Sequence, residues 1–207
     1  MQYPPPHHQE ANFENCIYLA QSFPLATVIS ASGGVIRTSH LPLIYQKNNP
    51  LGNFVGHIDI YNPQRTALEE QKELELIFHG PETYISPTVY HSKQLPTWNY
   101  FKAHFKGIPR VITDKAKVQK SLIEMTRFLE GSAQAYRLQP DNPRMEAALP
   151  YIIGFEVVIT HWEGKHKISQ DKHLRDQAEA KNELVQKYPQ HHAVIDRLYD
   201  QHQTKKK

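Results

Sequence analysis

A mostly-β barrel with peripheral helices is the fold class this sequence predicts, and three observations predict it. Seven or so short runs have the composition and period of half-buried strands. Turn-forming pairs such as Gly33-Gly34 and Gly80-Pro81 punctuate those runs. Few helical stretches fall between them, which argues against a doubly wound parallel sheet.

Pro4-Pro5-Pro6 forces an extended start, after which 12–22 reads as a short helix. Phe13, Cys16, Ile17 and Ala20 recur there at helical spacing, and Pro24 ends the pattern. Residues 25–31 read as a strand, Ser32-Gly33-Gly34 as a hairpin turn and 35–45 as the return arm. Pro42 cannot donate to a ladder, so that arm has an edge, a bulge or an early end. A strand at 53–58 precedes a polar helical piece near 63–70. Residues 73–79 alternate and stop at Gly80-Pro81; 83–86 is a short strand, and 97–107 and 109–113 extend the sheet.

Asp114 is a plausible N-cap for a helix to about Glu130, with Val118, Leu122, Met125 and Leu129 on one face. A turn or two of helix is expected at 142–149. Residues 151–160 are apolar on both faces except for Glu156, the mark of a central strand. Beyond His166 the chain turns polar, and 171–203 reads as one or two helices divided near Pro189. Two parts are expected. One is a barrel domain at 1–170, carrying the N-terminal helix and the helix near 114–130. The other is a helical extension at 171–207, packed on the barrel or a dimer mate through an apolar face that includes Leu184, Val185, Ile195 and Leu198.

Composition narrows the function classes. The chain of 207 residues is 39% hydrophobic and 22% charged, a globular profile. No apolar run approaches the ~20 residues of a membrane span. The sole cysteine, Cys16, excludes an intramolecular disulfide. With Met1-Gln2-Tyr3-Pro4-Pro5-Pro6 lacking signal-peptide features, it leads us to expect a cytoplasmic protein. The net charge of +3 is mild, and Lys205-Lys206-Lys207 supply three of the positive charges, so composition argues neither for nor against DNA.

No catalytic or metal constellation is apparent. The 13 histidines are scattered, without His-Glu-x-x-His or Cys-x-x-Cys spacing. Cys16 lies on an apolar stripe, where a buried inert thiol is expected. There is no nucleophile elbow, dinucleotide fingerprint or phosphate loop. What stands out instead is a set of polar segments at strand positions, above all Pro96-Thr97-Trp98-Asn99-Tyr100. Thr97, Asn99, Phe101, Ala103 and Phe105 share one face of that strand, and Trp98, Tyr100, Lys102, His104 and Lys106 the other. Neither is a plain apolar face, so the strand is expected to line something. The polar segments together offer cations, hydroxyls and amides but few acids, which suits an anionic, hydrogen-bonding planar ligand.

Those segments also carry a resemblance. His40-Leu41-Pro42-Leu43, Gly56-His57, Asn62-Pro63-Gln64, Tyr84-Ile85-Ser86-Pro87, Pro96 with the four residues after it, Gly154-Phe155-Glu156 and Lys167-Ile168-Ser169-Gln170 form an ordered set. This set resembles the PaiB family of FMN-binding, split-barrel negative transcriptional regulators, over nearly the whole chain. The resemblance implies an FMN-binding split β-barrel, pyridoxamine-phosphate-oxidase-like, that dimerises and binds FMN in a groove between subunits. For the flavin phosphate it implies Arg37, Thr38 and Ser39, with Lys93 or Lys167 as further cations. His40, Thr97 and Asn99 would bond the ring edge or ribityl chain, Trp98 or Tyr100 would pack on the ring, and Ser169 and Gln170 would come from the partner copy.

Two positions depart from the family pattern. An aromatic usual after Ser-Pro is replaced within Thr88-Val89-Tyr90, and the Asn that follows Ser-Gln is replaced by Asp171. A carboxylate near a phosphate costs roughly 1 kcal/mol per charge pair at 4 Å in water.

The expected function is that of a cytoplasmic, homodimeric FMN-binding negative transcriptional regulator or flavin sensor. The alternative is an FMN-dependent oxidoreductase of the pyridoxamine-phosphate-oxidase-like or flavin reductase type with an unknown small substrate, for which His40 and His57 are the nearest titratable groups. DNA contact follows from the resemblance alone. Lys165, Lys167, Lys172, His173 and Arg175 make a basic stretch, but Asp171, Asp176 and Glu179 interleave with it as on a solvated helix face.

Overall fold

The computed structural model describes residues 5–204; the first proline of the expected extended start and the terminal lysines lie outside the described residues. Pro5 is extended, and a single 3-10 turn at Pro6–His8 follows it. Strand β1 (Gln9–Glu10) leads to helix α1 (Phe13–Ser22), then come β2 (Leu25–Ser32), β3 (Val35–Pro42), β4 (Ile44–Gln46) and β5 (Asn53–Asp59). Helix α2 (Arg65–Glu69), β6 (Leu74–Ile85), β7 (Thr97–Ile112), α3 (Lys115–Glu130), α4 (Pro143–Ala148) and β8 (Ile152–Lys167) follow, and α5 (Leu174–Lys187) and α6 (His192–Thr204) end the described chain. The hydrogen-bonded strand order is β3-β2-β6-β7-β8-β5-β4, with β1 on β8. The mostly-β class with peripheral helices is therefore the one observed.

Several elements begin where the sequence supplies a cap. Asn12 accepts from the Glu14 N–H, Asp114 from Ala116 and Lys117, and Asn142 from Arg144 and Met145. Gly33 and Gly34 both take positive φ, 58° and 76°, and close the β2–β3 hairpin with Ser32 opposite Val35. β3 stops at Pro42, and Tyr45 belongs to a separate strand whose partner is Phe54.

The expected breaks at Gly80-Pro81 and before Pro109 are absent, because β6 and β7 run through them. Gly80 serves close packing, since a Cβ there would meet Leu19 Cδ1 at 2.6 Å and Phe101 Cβ at 3.0 Å. β8 likewise continues past Thr160 to Lys167.

The chain forms two compact units, 1–23 with 78–104 and 163–207, and 24–77 with 105–162. In the first, β1 pairs with β8, and Glu10, 3% exposed, accepts from Asn12 and Asn15 and lies 3.4 Å from His166 Nδ1. α6 packs on α1 and α5, and its Tyr199 meets Phe101 edge-on at 5.8 Å. Asn99, Phe101 and Ala103 are all fully buried, so this stretch of β7 has a true core face with one amide inside it.

In the second unit, β5 lies between β4 and β8, and Phe54 meets Phe105 edge-on at 5.0 Å. Phe105, fully buried, continues the core face of β7 there. α3 closes a cluster of Ile44, Val55 and Met125, with Phe128 packed against it.

At Gly107 the two long strands come close backbone to backbone: a Cβ would stand 2.5 Å from the Val158 carbonyl oxygen. Backbone cannot yield there, so Gly107→Ala is expected to cost roughly 1–3 kcal/mol of stability. Urea unfolding monitored by circular dichroism measures that loss.

Candidate functional site

A cavity of about 240 Å³ opens in the first unit where β7 begins and β8 ends. Thr97 and Asn99 line it from β7, Lys167 from the last position of β8, and Ser169, Asp171 and Lys172 from the turn beyond. His8, Gln94, Leu95 and Pro96 complete the wall. Ligand sites run from roughly 300 Å³ upward, so this cavity suits one part of a larger ligand.

The wall is held by a buried polar node. The Asn99 amide donates to Ser169 Oγ at 3.0 Å, and the Ser169 hydroxyl lies 3.2 Å from Asn99 Oδ1 to return the bond. Tyr90 OH meets the same Oγ at 2.7 Å. Burial raises the Tyr90 phenol against the opposing effect of this hydrogen bond, so the phenol stays protonated and is a donor at neutral pH. Ser169 takes φ 62°, a left-handed conformation uncommon for a residue with a Cβ, which turns the chain as β8 ends.

The turn after Ser169 and the loop before β7 are both pinned. Gln170 accepts from the Ile168 N–H at 2.8 Å and donates to the His166 carbonyl, while Gln177 of α5 donates to the Gln170 and Lys172 carbonyls. Asp176 of α5 accepts from the His91 N–H at 2.7 Å and from the Ser92 hydroxyl. The Ser92 hydrogen bond, helped by the His91 and Ser92 N–H groups, holds the Asp176 carboxyl below its ordinary range.

Electrostatically the cavity favours an anion. The Lys167 ammonium has no ion pair among the described residues, and Lys172 pairs with Asp171 at 2.8 Å. Burial tends to raise the Asp171 carboxyl, but the Lys172 hydrogen bond and charge, the residue's own N–H and His7 outweigh it and leave it low. His8 is pushed down to about 4, first by burial and then by the charges of His7, Lys167 and Lys165, with Asp171 opposing.

Of the twelve residues named from the sequence, the structure brings Thr97, Asn99, Lys167 and Ser169 together at this cavity, while Lys93 is exposed in the loop before β7 and does not line it. Gln170 is close in sequence, but both ends of its amide are spent on backbone. Trp98 and Tyr100 alternate to the other face of β7. Trp98, 45% exposed, stands 6.4 Å from the Tyr84 ring with the Lys187 ammonium at 5.8 Å, and Tyr100 faces the Lys165 ammonium at 5.6 Å. Arg37, Thr38, Ser39 and His40 lie on β3 in the second unit. There Gln64 reaches the Arg37 and Val28 carbonyls and the Ser30 hydroxyl, each at 3.1 Å. Asn62 donates to Ser39 Oγ at 3.0 Å, and His40 Nδ1 lies 3.2 Å from Thr27 Oγ1. His8 and Lys172 escaped the sequence reading as cavity residues. No local spacing marks His8, and only the Ser169 turn brings Lys172 to the cavity.

His57 is a packing residue here. Its Nε2 sits 2.8 Å from Ser121 Oγ on α3, whose hydroxyl donates to the Val118 carbonyl, so the ring is the donor. Burial pushes His57 down to about 4.

Comparison with known proteins supplies the family. The model described as "Putative FMN-binding domain" matches residues 2–161, and the chain belongs to that family. It is 28% identical over 183 residues to the "Protease synthase and sporulation protein PAI 2" of Bacillus subtilis strain 168, covering 84% of each chain. Among solved structures it resembles the FAD and haem binding protein of Mycobacterium smegmatis, with TM-score 0.60 at 18% identity over 77% of this chain and 73% of that one. It also resembles the flavocytochrome Anf3 of Azotobacter vinelandii, with TM-score 0.60 at 16% identity over 77% and 69%. At such identities the likeness speaks for the fold alone, which is the split β-barrel that the resemblance implied.

His57 gives the second unit a pH signature. Its folded pKa of about 4 lies below the ordinary 6.5, so the unfolded chain takes up the proton first as pH falls. His57 therefore removes stability between pH 6.5 and about 4, by at most about 1.4 kcal/mol per pH unit. Urea unfolding at pH 7 and pH 5 is expected to show a smaller fall for His57→Gln than for the parent.

Proposed function

We propose that this chain is a cytoplasmic, homodimeric flavin-binding regulator, and that the cavity at the start of β7 receives the anionic or ribityl portion of FMN. The observation that carries the reading is the convergence of Thr97, Asn99, Lys167 and Ser169, residues far apart in sequence, on one cationic cavity in a chain of the FMN-binding family. The donor set fits the group. Lys167 offers a charge-assisted bond to phosphate, while Thr97 offers a hydroxyl to the ribityl chain. Asp171 does not spoil the site, because its charge is already matched by Lys172. Arg37, Thr38, Ser39 and His40 form the second proposed donor set, and Trp98 the proposed aromatic contact.

FMN, when bound, would supply the redox-active ring, and Thr97 and Lys167 would hold it. The regulator reading takes its support from the relative in Bacillus subtilis and from the absence of a catalytic constellation in the sequence. The basic stretch from Lys165 to Arg175 is its proposed DNA-facing segment.

Freshly purified protein is expected to bind FMN, read from flavin absorbance and from mass spectrometry of the released ligand. Lys167→Ala is expected to weaken FMN by about ten-fold or more, in line with loss of a charged hydrogen bond of roughly 1.5–3 kcal/mol. A parent protein that binds no FMN, or an Ala variant that binds it as tightly, overturns the placement. Promoter-fragment mobility shift with and without FMN then tests regulation.

A further inference from the structure

We propose that the groove between α3 and the loop after it is a second ligand site, for a small amphipathic anion with a planar apolar body. The groove has a volume of about 970 Å³, inside the range of roughly 300–1,000 Å³ typical of small-molecule sites. It lies wholly in the second compact unit, whereas the cavity at Thr97 lies in the first.

Its lining has an apolar part: half-buried Ile123 and Phe128 from α3, half-buried Leu138 and exposed Pro140 from the loop. Tyr136 stands on the rim, half exposed, and offers a ring to a planar ligand. The charge is one-sided. Glu124 is occupied by Lys120 at 3.7 Å and Gln46 at 3.4 Å. Arg127 and Arg137 both line the groove, and neither guanidinium has an ion pair or hydrogen bond among the described residues. Two unpaired guanidiniums beside these apolar residues complement a carboxylate, sulfonate or phosphate attached to a hydrophobic ring.

The wall opposite the helix is built rather than loose. Gln134, at φ 43°, donates to the Arg127 carbonyl at 2.8 Å and the Gly131 carbonyl at 2.6 Å. Those bonds also cover carbonyls at the helix C-terminus that would repel an anion. Glu130 accepts from the Tyr136 N–H at 3.1 Å, and Gln119 donates to the Pro140 carbonyl at 2.6 Å. Four hydrogen bonds thus tie the loop at both of its ends, and the groove needs little ordering to receive a ligand.

The test uses the full chain and two fluorescent probes of similar shape, anionic 1-anilinonaphthalene-8-sulfonate and neutral N-phenyl-1-naphthylamine. The sulfonate is expected to bind the parent about ten-fold more tightly than the neutral probe, and saturating FMN is expected to leave it in place. The Arg127→Gln, Arg137→Gln double variant is expected to lose that preference while keeping the parent's melting temperature and FMN affinity. The single Arg137→Gln variant, which leaves α3 untouched, is expected to fall between them. Equal sulfonate binding by parent and double variant overturns the proposal, as does displacement of the probe by FMN. A change of sedimentation behaviour in the double variant, without a change in probe binding, also overturns it and assigns the groove to contact between copies. Because the FMN titration is read separately, failure of the flavin reading leaves this result interpretable.

Discussion

The hydrogen bonds between Asn99 and Ser169 set the conditions for everything around the first cavity. Asn99 is fully buried on a strand face otherwise made of Phe101 and Ala103. Left unpartnered, its amide would cost roughly 1–3 kcal/mol. Ser169 supplies both partners, but only because its backbone takes a left-handed turn that generally costs on the order of 1–3 kcal/mol. The polar strand and the strained turn therefore require each other. Tyr90 adds a third member, with its ring in a cluster with Ile85 and Ala180. The node thereby joins β6, the loop after it, β7 and the exit of β8.

That dependence explains which parts of the molecule the sequence disclosed. Caps and turns are local chemistry, so the Asp114 cap and the Gly33-Gly34 turn could be placed from a few neighbouring residues. Gly80-Pro81 and Pro109 misled because a glycine or proline in a strand has two meanings. The same residue type that ends a strand elsewhere lets β6 approach Leu19 and Phe101 here. Residue order along β7 was also legible, since alternation puts Thr97 and Asn99 together and Trp98 opposite. The direction of the turn after Ile168 was not, because a positive φ at a serine has no sequence signature. Beyond that turn Lys172 lines the cavity and Gln170 spends its amide on backbone.

The two departures from the family pattern look different once this geometry is known. Val89 packs against the cluster of Ile85, Tyr90 and Ala180, so its position fills core beneath the polar node. A larger aromatic there would have to share that space with Tyr90, whose hydroxyl is already committed to Ser169. Asp171 bears directly on the anion. An isolated carboxylate at the cavity would oppose a phosphate, but Lys172 lies 2.8 Å from it and the pair brings no net charge. The surplus then rests with Lys167, next to Thr97 and Asn99. Replacing Asp171 with Asn would free Lys172 and raise the cavity's positive charge by one. For the proposed anion the acid would therefore temper the strength of binding, and its paired charge is compatible with an anion in the same cavity.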